Sequence, residues 1–193
     1  MNTIEPMILK ELRDTDYQSL IKFRIRKILI ICSNYDAFIL EEDGQIESQI
    51  YKEYIDLNLS NPPQFVWVQT SAQAREILNT VVGIDMVMCM YNVGDKEIFS
   101  LASELKHDRP NLPFVLLTHF SKEIYRRLSL LDTSAIDYMF SWHGNADLIV
   151  AIIKLFEDLK NADNDILEVG VQAILLVEDS VRYYSTYLPE LYK

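Results

Sequence analysis

Short apolar runs alternate with longer amphipathic stretches along most of the chain. The apolar runs cover residues 26–33, 64–70, 85–91, 113–118 and 135–140. Runs of this length, bounded by turn-forming residues, are typical of strands that are buried on both faces of a sheet. The amphipathic stretches predict helices over residues 46–57, 71–79, 96–107, 121–130 and 145–159.

The strict alternation of strand and helix predicts the fold class. Parallel strands joined by right-handed crossovers place helices on both faces of the sheet. We therefore predict an α/β fold, a doubly wound, five-stranded parallel sheet of the (βα)5 type. A Rossmann dinucleotide-binding fold is disfavoured because the chain has 5 glycines and no Gly-x-Gly-x-x-Gly follows a strand.

The same pattern divides the chain into four segments. Residues 1–25 have apolar positions at partly helical spacing and predict an N-terminal helical extension. Residues 26–160 form the α/β domain, and the polar residues 161–170 predict a linker. A new strand and helix pattern then begins over residues 171–193, with a sixth strand over 171–177 and a helix over 179–192 that Pro189 would end or kink.

Charge and hydropathy limit the partners and the compartment. The formal net charge is -11 and no run of Lys or Arg is present, so we expect no binding to nucleic acid. The apolar runs are far shorter than the roughly 20 residues that span a bilayer, and the N-terminus lacks the apolar core of a signal peptide. We expect a cytoplasmic protein without membrane contact. Cys32 and Cys89 lie inside apolar runs and predict buried thiols rather than a disulfide or a metal site.

Four of the strand motifs, in this order and at this spacing, resemble response-regulator receiver domains of bacterial signalling proteins. The motifs are residues 27–31 (KILII), 84–88 (IDMVM), 112–118 (LPFVLLT) and 135–139 (AIDYM). The resemblance covers roughly residues 26–159 and implies the flavodoxin-like receiver fold with its strand order. In active receivers, an aspartate at the end of the third strand takes a phosphoryl group, and acidic residues at the end of the first strand help to bind magnesium.

Projecting the receiver site onto this chain predicts a degenerate phosphorylation pocket. The acidic pair maps onto Cys32 and Ser33, the acceptor onto Met90 and the lysine onto Ser141, whereas Thr118 keeps the switch hydroxyl. Thiols and thioethers are poor ligands for magnesium, and a thioether cannot form an acyl phosphate. No Asp or Glu occurs at residues 28–35 or 86–94. Shifting the alignment by one or two residues therefore does not restore the acidic residues of an active receiver. We predict a pseudo-receiver with no catalytic residue, metal or cofactor in this domain.

The tail resembles the beginning of a second receiver. Residues 173–180 (AILLVEDS) match a receiver's first strand and acidic pair, in which Glu178 and Asp179 would help to bind magnesium in a complete unit. The alternative is a cluster of acidic and hydroxyl residues at a helix N-terminus. Residues 177–185 also resemble receiver-like regions attached to bacterial chains related to phosphoenolpyruvate synthase or pyruvate phosphate dikinase. The second unit would be truncated at residue 193.

Two functional hypotheses follow. The first is a non-phosphorylatable regulatory and interaction module in bacterial signal transduction, which binds protein partners or downstream domains of its own chain and is not itself an enzyme. The alternative is the regulatory N-terminal part of a phosphotransfer enzyme whose active receiver and catalytic domains lie beyond residue 193. A pocket for a flavin or nucleotide is disfavoured because phosphate-binding glycines are missing. We also expect a homo-oligomer through the tail, because an unpaired strand over residues 173–177 would pair with another copy or with its own sheet edge.

Overall fold

The computed structural model describes residues 22–33, 46–56, 61–91, 97–119, 126, 128, 130–144 and 146–193. The strands in this part of the chain are β1 (Lys27–Ile31), β2 (Gln64–Val68), β3 (Met86–Met90), β4 (Phe114–Thr118) and β5 (Tyr138–Ser141). The helices treated below are α1 (Ile46–Asp56), α2 (Ser71–Thr80), α3 (Glu97–Asp108), α4 (Ala146–Asn164) and α5 (Val181–Leu191). Most of the predicted N-terminal helix and most of the predicted helix over residues 121–130 lie outside the described residues.

The strands form one five-stranded parallel sheet in the order β2-β1-β3-β4-β5. This confirms the predicted doubly wound sheet and the strand order that the receiver resemblance implies. The chain runs outward from β1 in both directions, so the strand order reverses there. In open sheets of this kind, ligands bind outside the carboxyl ends of the strands beside that reversal.

Two apolar clusters cover the two faces of the sheet, and alternation along the strands assigns each side chain to one of them. Ile28 and Ile30 of β1 belong to the first cluster, which includes buried residues of α1, α4 and α5. Leu29 and Ile31 belong to the second cluster, with residues of α2 and α3. Burial on both faces explains why the strands read as continuous apolar runs. None of the helices in the described ranges combines the length and apolar character needed to cross a bilayer.

The predicted linker over residues 161–170 is wrong in its local structure. Helix α4 continues to Asn164, a π-helical turn (Asp165–Val169) follows, and Gly170 ends the helix with a φ of 78°, which glycine adopts without steric cost. Asn161 is buried, and its side-chain amide bonds to the backbone N and O of Phe23 at 2.9 and 2.8 Å. Asn161 is therefore a polar residue that makes a tertiary contact and not part of a solvated loop.

The predicted sixth strand over residues 171–177 is also not formed, because this segment pairs with no strand in the described part of the chain. It is exposed. Helix α5 begins at Val181, two residues later than predicted, and ends two residues after Pro189. A strand needs a free sheet edge to pair with, and the edge of β5 is already covered by α5, as described below.

Strand β5 starts three residues later than predicted. The preceding residues form turns, in which the Ile136 N–H donates to the Thr133 carbonyl at 3.0 Å and the Ser134 N–H donates to the Asp132 carboxylate at 3.0 Å. The later start makes Ser141 the last residue of the strand and not the first residue after it.

Candidate functional site

The carboxyl ends of four strands bring the five predicted pocket residues to one edge of the sheet. Met90, Thr118 and Ser141 are the last residues of β3, β4 and β5, and Cys32 and Ser33 directly follow β1. The register pairs Thr118 with Ser141. Cys32 comes level with Met90, because the last residue of β1 pairs with the residue before Met90. The sequence therefore located this edge correctly.

The centre of this edge is packed with apolar side chains. Cys32 and Met90 are both buried members of the first cluster, together with Trp142, which follows β5. The Cys32 N–H donates to the Val68 carbonyl at 3.0 Å and fixes the chain as it leaves β1. Two of the positions onto which the resemblance projects acidic residues thus contribute to the core.

The described residues of this edge do not fit a magnesium site. None of the described residues that end β1, β3, β4 or β5 carries a carboxylate, and no group of three or more His, Cys, Asp or Glu gathers anywhere in the described ranges. Asp85 precedes β3 at the opposite edge, where its carboxylate accepts the N–H groups of Arg26 and Lys27 at 2.8 and 3.1 Å. A hard cation needs oxygen ligands, which a thiol and a thioether do not supply.

Ser141, onto which the receiver resemblance projects a lysine, is a neutral, buried residue. Its N–H donates to Ser185 Oγ of α5 at 2.8 Å, while its own hydroxyl has no hydrogen-bond partner among the described residues. Thr118, its neighbour in the register, is also buried.

Helix α5 covers the outer edge of β5. The next residue after Ser141, Trp142, donates its N–H inward to the Thr118 carbonyl of β4, so the Ser141 N–H points outward and donates to Ser185 Oγ. Burial raises the pKa of the nearby Tyr184 to about 12. A side chain of the helix thus occupies a hydrogen-bonding position that a sixth strand would otherwise fill.

Three further contacts hold α5 in place. Leu188 is buried in the first cluster, and the Tyr184 ring packs edge-to-face on Phe140 with centroids 5.2 Å apart. The Tyr192 hydroxyl donates to Asp158 of α4 at 2.7 Å. Sequence reasoning missed this docking. The spacing of Tyr184 and Leu188, four residues apart on one helix face, was the available signal.

The acidic pair predicted for a second receiver lies where α5 begins. Glu178 accepts the N–H of Ser180, the N-cap residue of α5, at 3.0 Å, and Asp179 is exposed. This geometry matches the alternative interpretation, an acidic cluster at a helix N-terminus. Magnesium binding by Glu178 and Asp179 stays a prediction.

A buried polar network that the sequence did not indicate ties the segment before β1 to α4. Glu157 of α4 is buried, forms a salt bridge with Lys154 at 2.8 Å and accepts the Ile25 N–H at 2.9 Å. One turn later, Asn161 binds the backbone of Phe23. The sequence shows that α4 has polar residues on its buried face. It does not show which backbone groups they bind.

A shallow groove of about 340 Å³ lies at the opposite edge of the sheet, beside the starts of β4 and β5. One of its two lysines, Lys106, is paired with Asp137 at 2.7 Å and donates to the Leu112 carbonyl at 2.9 Å, and the other, Lys160, lies over the Phe23 ring. These contacts serve the fold, so we infer no ligand there.

No protein-family model and no curated protein matches the chain. Solved structures do match it. The signal receiver domain of an HD domain-containing protein from Pseudomonas fluorescens Pf-5 is 16% identical, with 75% of this chain and 96% of that chain covered and a TM-score of 0.52. Response regulator TrrA from Thermotoga maritima, solved with magnesium and beryllofluoride, is 19% identical, with 68% and 98% covered and a TM-score of 0.48. An adenylate cyclase from Rhodopirellula baltica is 11% identical, with 76% and 98% covered and a TM-score of 0.49.

The likeness to the first of these structures agrees with the strand order and confirms the fold. The chain has the flavodoxin-like fold of response-regulator receiver domains. At this level of identity, the comparison shows the fold and not the activity.

Proposed function

We propose that this chain is a receiver-like regulatory module that acts in signal transduction through contacts with other proteins or domains and is not phosphorylated. The observation that carries the proposal is the apolar packing at the end of β1 and β3. Cys32 and Met90 lie in the core at the positions where a phosphorylatable receiver needs carboxylates. Ser141 in place of a lysine supports the same conclusion.

The mechanism of such a module is contact without phosphoryl transfer. Receiver folds present helices and a sheet edge that can bind partners, and here the β5 edge is covered by the chain's own helix α5. Partners then recognise a surface whose state does not depend on a phosphoryl group. The cytoplasmic location and the absence of nucleic-acid binding stay predictions from the sequence.

The test is direct phosphorylation of the 193-residue chain. The protein is incubated with magnesium and acetyl phosphate, and intact-mass spectrometry measures the product, with an active receiver domain treated in parallel. We expect the mass of this chain to stay unchanged while the active receiver gains a phosphoryl group. A magnesium-dependent, hydroxylamine-labile phosphoryl group on this chain would overturn the proposal.

A second candidate is the regulatory N-terminal part of a phosphotransfer enzyme, in which residues 171–193 begin an active receiver-like unit. The exposed, apolar, strand-like character of residues 171–177 favours it, because a first strand would be buried in its own sheet. The acidic Glu178 and Asp179 follow that segment directly.

Sequencing the complete reading frame tests this candidate first. A frame that stops after codon 193 would eliminate it. If the frame continues, we expect the longer protein to become phosphorylated with acetyl phosphate and magnesium, and Asp179→Asn to abolish that reaction. Phosphorylation that survives Asp179→Asn unchanged would argue against a role for this acidic pair.

A further inference from the structure

The tail contains an apolar segment whose exposure is not explained by the fold. We call residues 172–177 the tail strip. Ile174, Leu175 and Val177 are 83%, 87% and 83% exposed. The backbone from 172 to 177 forms no hydrogen bond with any other described residue. The strip has β-branched and leucine side chains, no proline and no charge, which favours strand pairing.

The strip cannot pair with the sheet of its own chain. Its first end is fixed after α4, where the Val171 N–H bonds to the Asp165 carbonyl at 3.0 Å, and its second end leads into α5. The edge of β5 is covered by α5. The other sheet edge, β2, lies four strands away from β5, about 19 Å at the usual strand spacing.

We propose that the tail strip is a dimerisation surface, at which it pairs in antiparallel orientation with the tail strip of a second copy. Pairing of identical segments about a two-fold axis is closed, whereas pairing with a different edge of the next copy would build an open chain of molecules. No contact of the described structure is lost, because α5 keeps its contacts with β5 and α4. The inference does not depend on the proposed regulatory function, and it is incompatible with the second candidate, in which the same residues are the buried first strand of another sheet.

Charge favours the strip over the rest of the surface. The chain carries a net charge of -11, which opposes association at most faces, whereas the strip is uncharged. Pairing centred on Leu175, the middle of the apolar run, places Glu178 opposite Gln172 and not opposite its own copy. It also satisfies backbone groups that would otherwise face water beside exposed apolar side chains.

A single cysteine at the symmetry axis tests the geometry. Directly opposite residues in an antiparallel pair have Cα atoms about 4.5–5.5 Å apart, within the range that a disulfide spans. We expect Leu175→Cys in the full chain to form a disulfide-linked dimer on mild oxidation. The matched control is Val82→Cys, because Val82 is 89% exposed in the loop after α2. The native cysteines are both buried.

Light scattering at increasing concentration provides the second readout. We expect the unmodified chain to dimerise reversibly, and Leu175→Asp to remain a monomer with an unchanged circular dichroism spectrum, since the side chain is exposed in the monomer. The proposal is overturned if the unmodified chain is monomeric at every concentration, if the dimer survives Leu175→Asp, or if Leu175→Cys crosslinks no more than Val82→Cys.

Discussion

Leu188→Ala measures how strongly α5 is bound to the domain. Leu188 is 4% exposed and packs in the first cluster. Truncation of a buried leucine to alanine costs about 2–5 kcal/mol. Because α5 lies at the edge of the domain and can shift to reduce the cavity, we expect a loss of about 2–3 kcal/mol at the lower end of that range.

Two assays convert this loss into measurable changes. With a urea dependence of about 1–3 kcal/mol per molar for a small protein, the unfolding midpoint should fall by roughly 1 M. Amide hydrogens of α5 should exchange about 30- to 100-fold faster, since each 1.4 kcal/mol changes the opening equilibrium tenfold.

The control is Leu191→Ala, which removes the same atoms from a half-exposed position of the same helix. It should change the midpoint and the exchange rates little. Equal effects of the two substitutions would refute the claim that Leu188 anchors α5.

Three other substitutions test single contacts. Ser185→Ala leaves the buried Ser141 N–H without its acceptor and should reduce the free energy of unfolding by about 1–3 kcal/mol in urea titration. Glu157→Ala removes the carboxylate that pairs with the partly buried Lys154 and accepts the Ile25 N–H, and it should cost about 1–3 kcal/mol, measured by thermal unfolding. Burial raises the pKa of Asp158, so folding takes up a proton and the group's contribution to stability falls as pH rises from the ordinary to the raised pKa. Asp158→Asn still accepts from Tyr192 and should gain stability relative to the unmodified chain across that interval, measured by unfolding from about pH 3 to pH 7.

Each of these predictions has a matched control and a clear contradiction. Thr186→Ala removes an exposed hydroxyl that bonds within α5, and a loss as large as that of Ser185→Ala would contradict the edge contact. Glu168→Ala, at an exposed position, should be nearly neutral, and a neutral Glu157→Ala would refute the role of the buried pair. The stability difference between Asp158→Asn and the unmodified chain should depend on pH, whereas the difference for Thr186→Ala, which alters no titrating group, should not. A difference that is constant with pH would show that the raised pKa is wrong.

The sheet could be predicted from the sequence because its strands are buried on both faces. All five residues of β3 and of β4 are buried, so each reads as an unbroken apolar run whose meaning does not depend on distant residues. The order of the runs then located Cys32, Met90, Thr118 and Ser141 at one edge. The carboxyl ends of parallel strands lie at the same edge of a sheet, so the position of each residue in its strand was sufficient to predict that these residues lie together.

The tail could not be predicted in the same way. The run over residues 173–177 has the composition of a strand. A strand forms only when it pairs with a free sheet edge, and the local sequence does not show whether such an edge is available. The polar residues 161–165 looked like a linker because the pattern does not show that Asn161 binds the backbone of Phe23. The docking of α5 on β5 depends on Ser185, which accepts a backbone N–H, and on Tyr184, which packs on Phe140, and neither contact leaves a distinctive sequence pattern.

Titration with beryllofluoride and magnesium, followed by NMR, tests most directly whether the strand ends can accept a phosphoryl group. Beryllofluoride mimics a phosphoryl group on an acceptor carboxylate, and the Met90 methyl group and the Thr118 amide lie at the two strand ends that would surround it. We expect no saturable shift of either signal, whereas an active receiver domain should respond under the same conditions. A saturable, magnesium-dependent shift at Met90 and Thr118 would show that a carboxylate completes the site and would contradict phosphorylation-independent function.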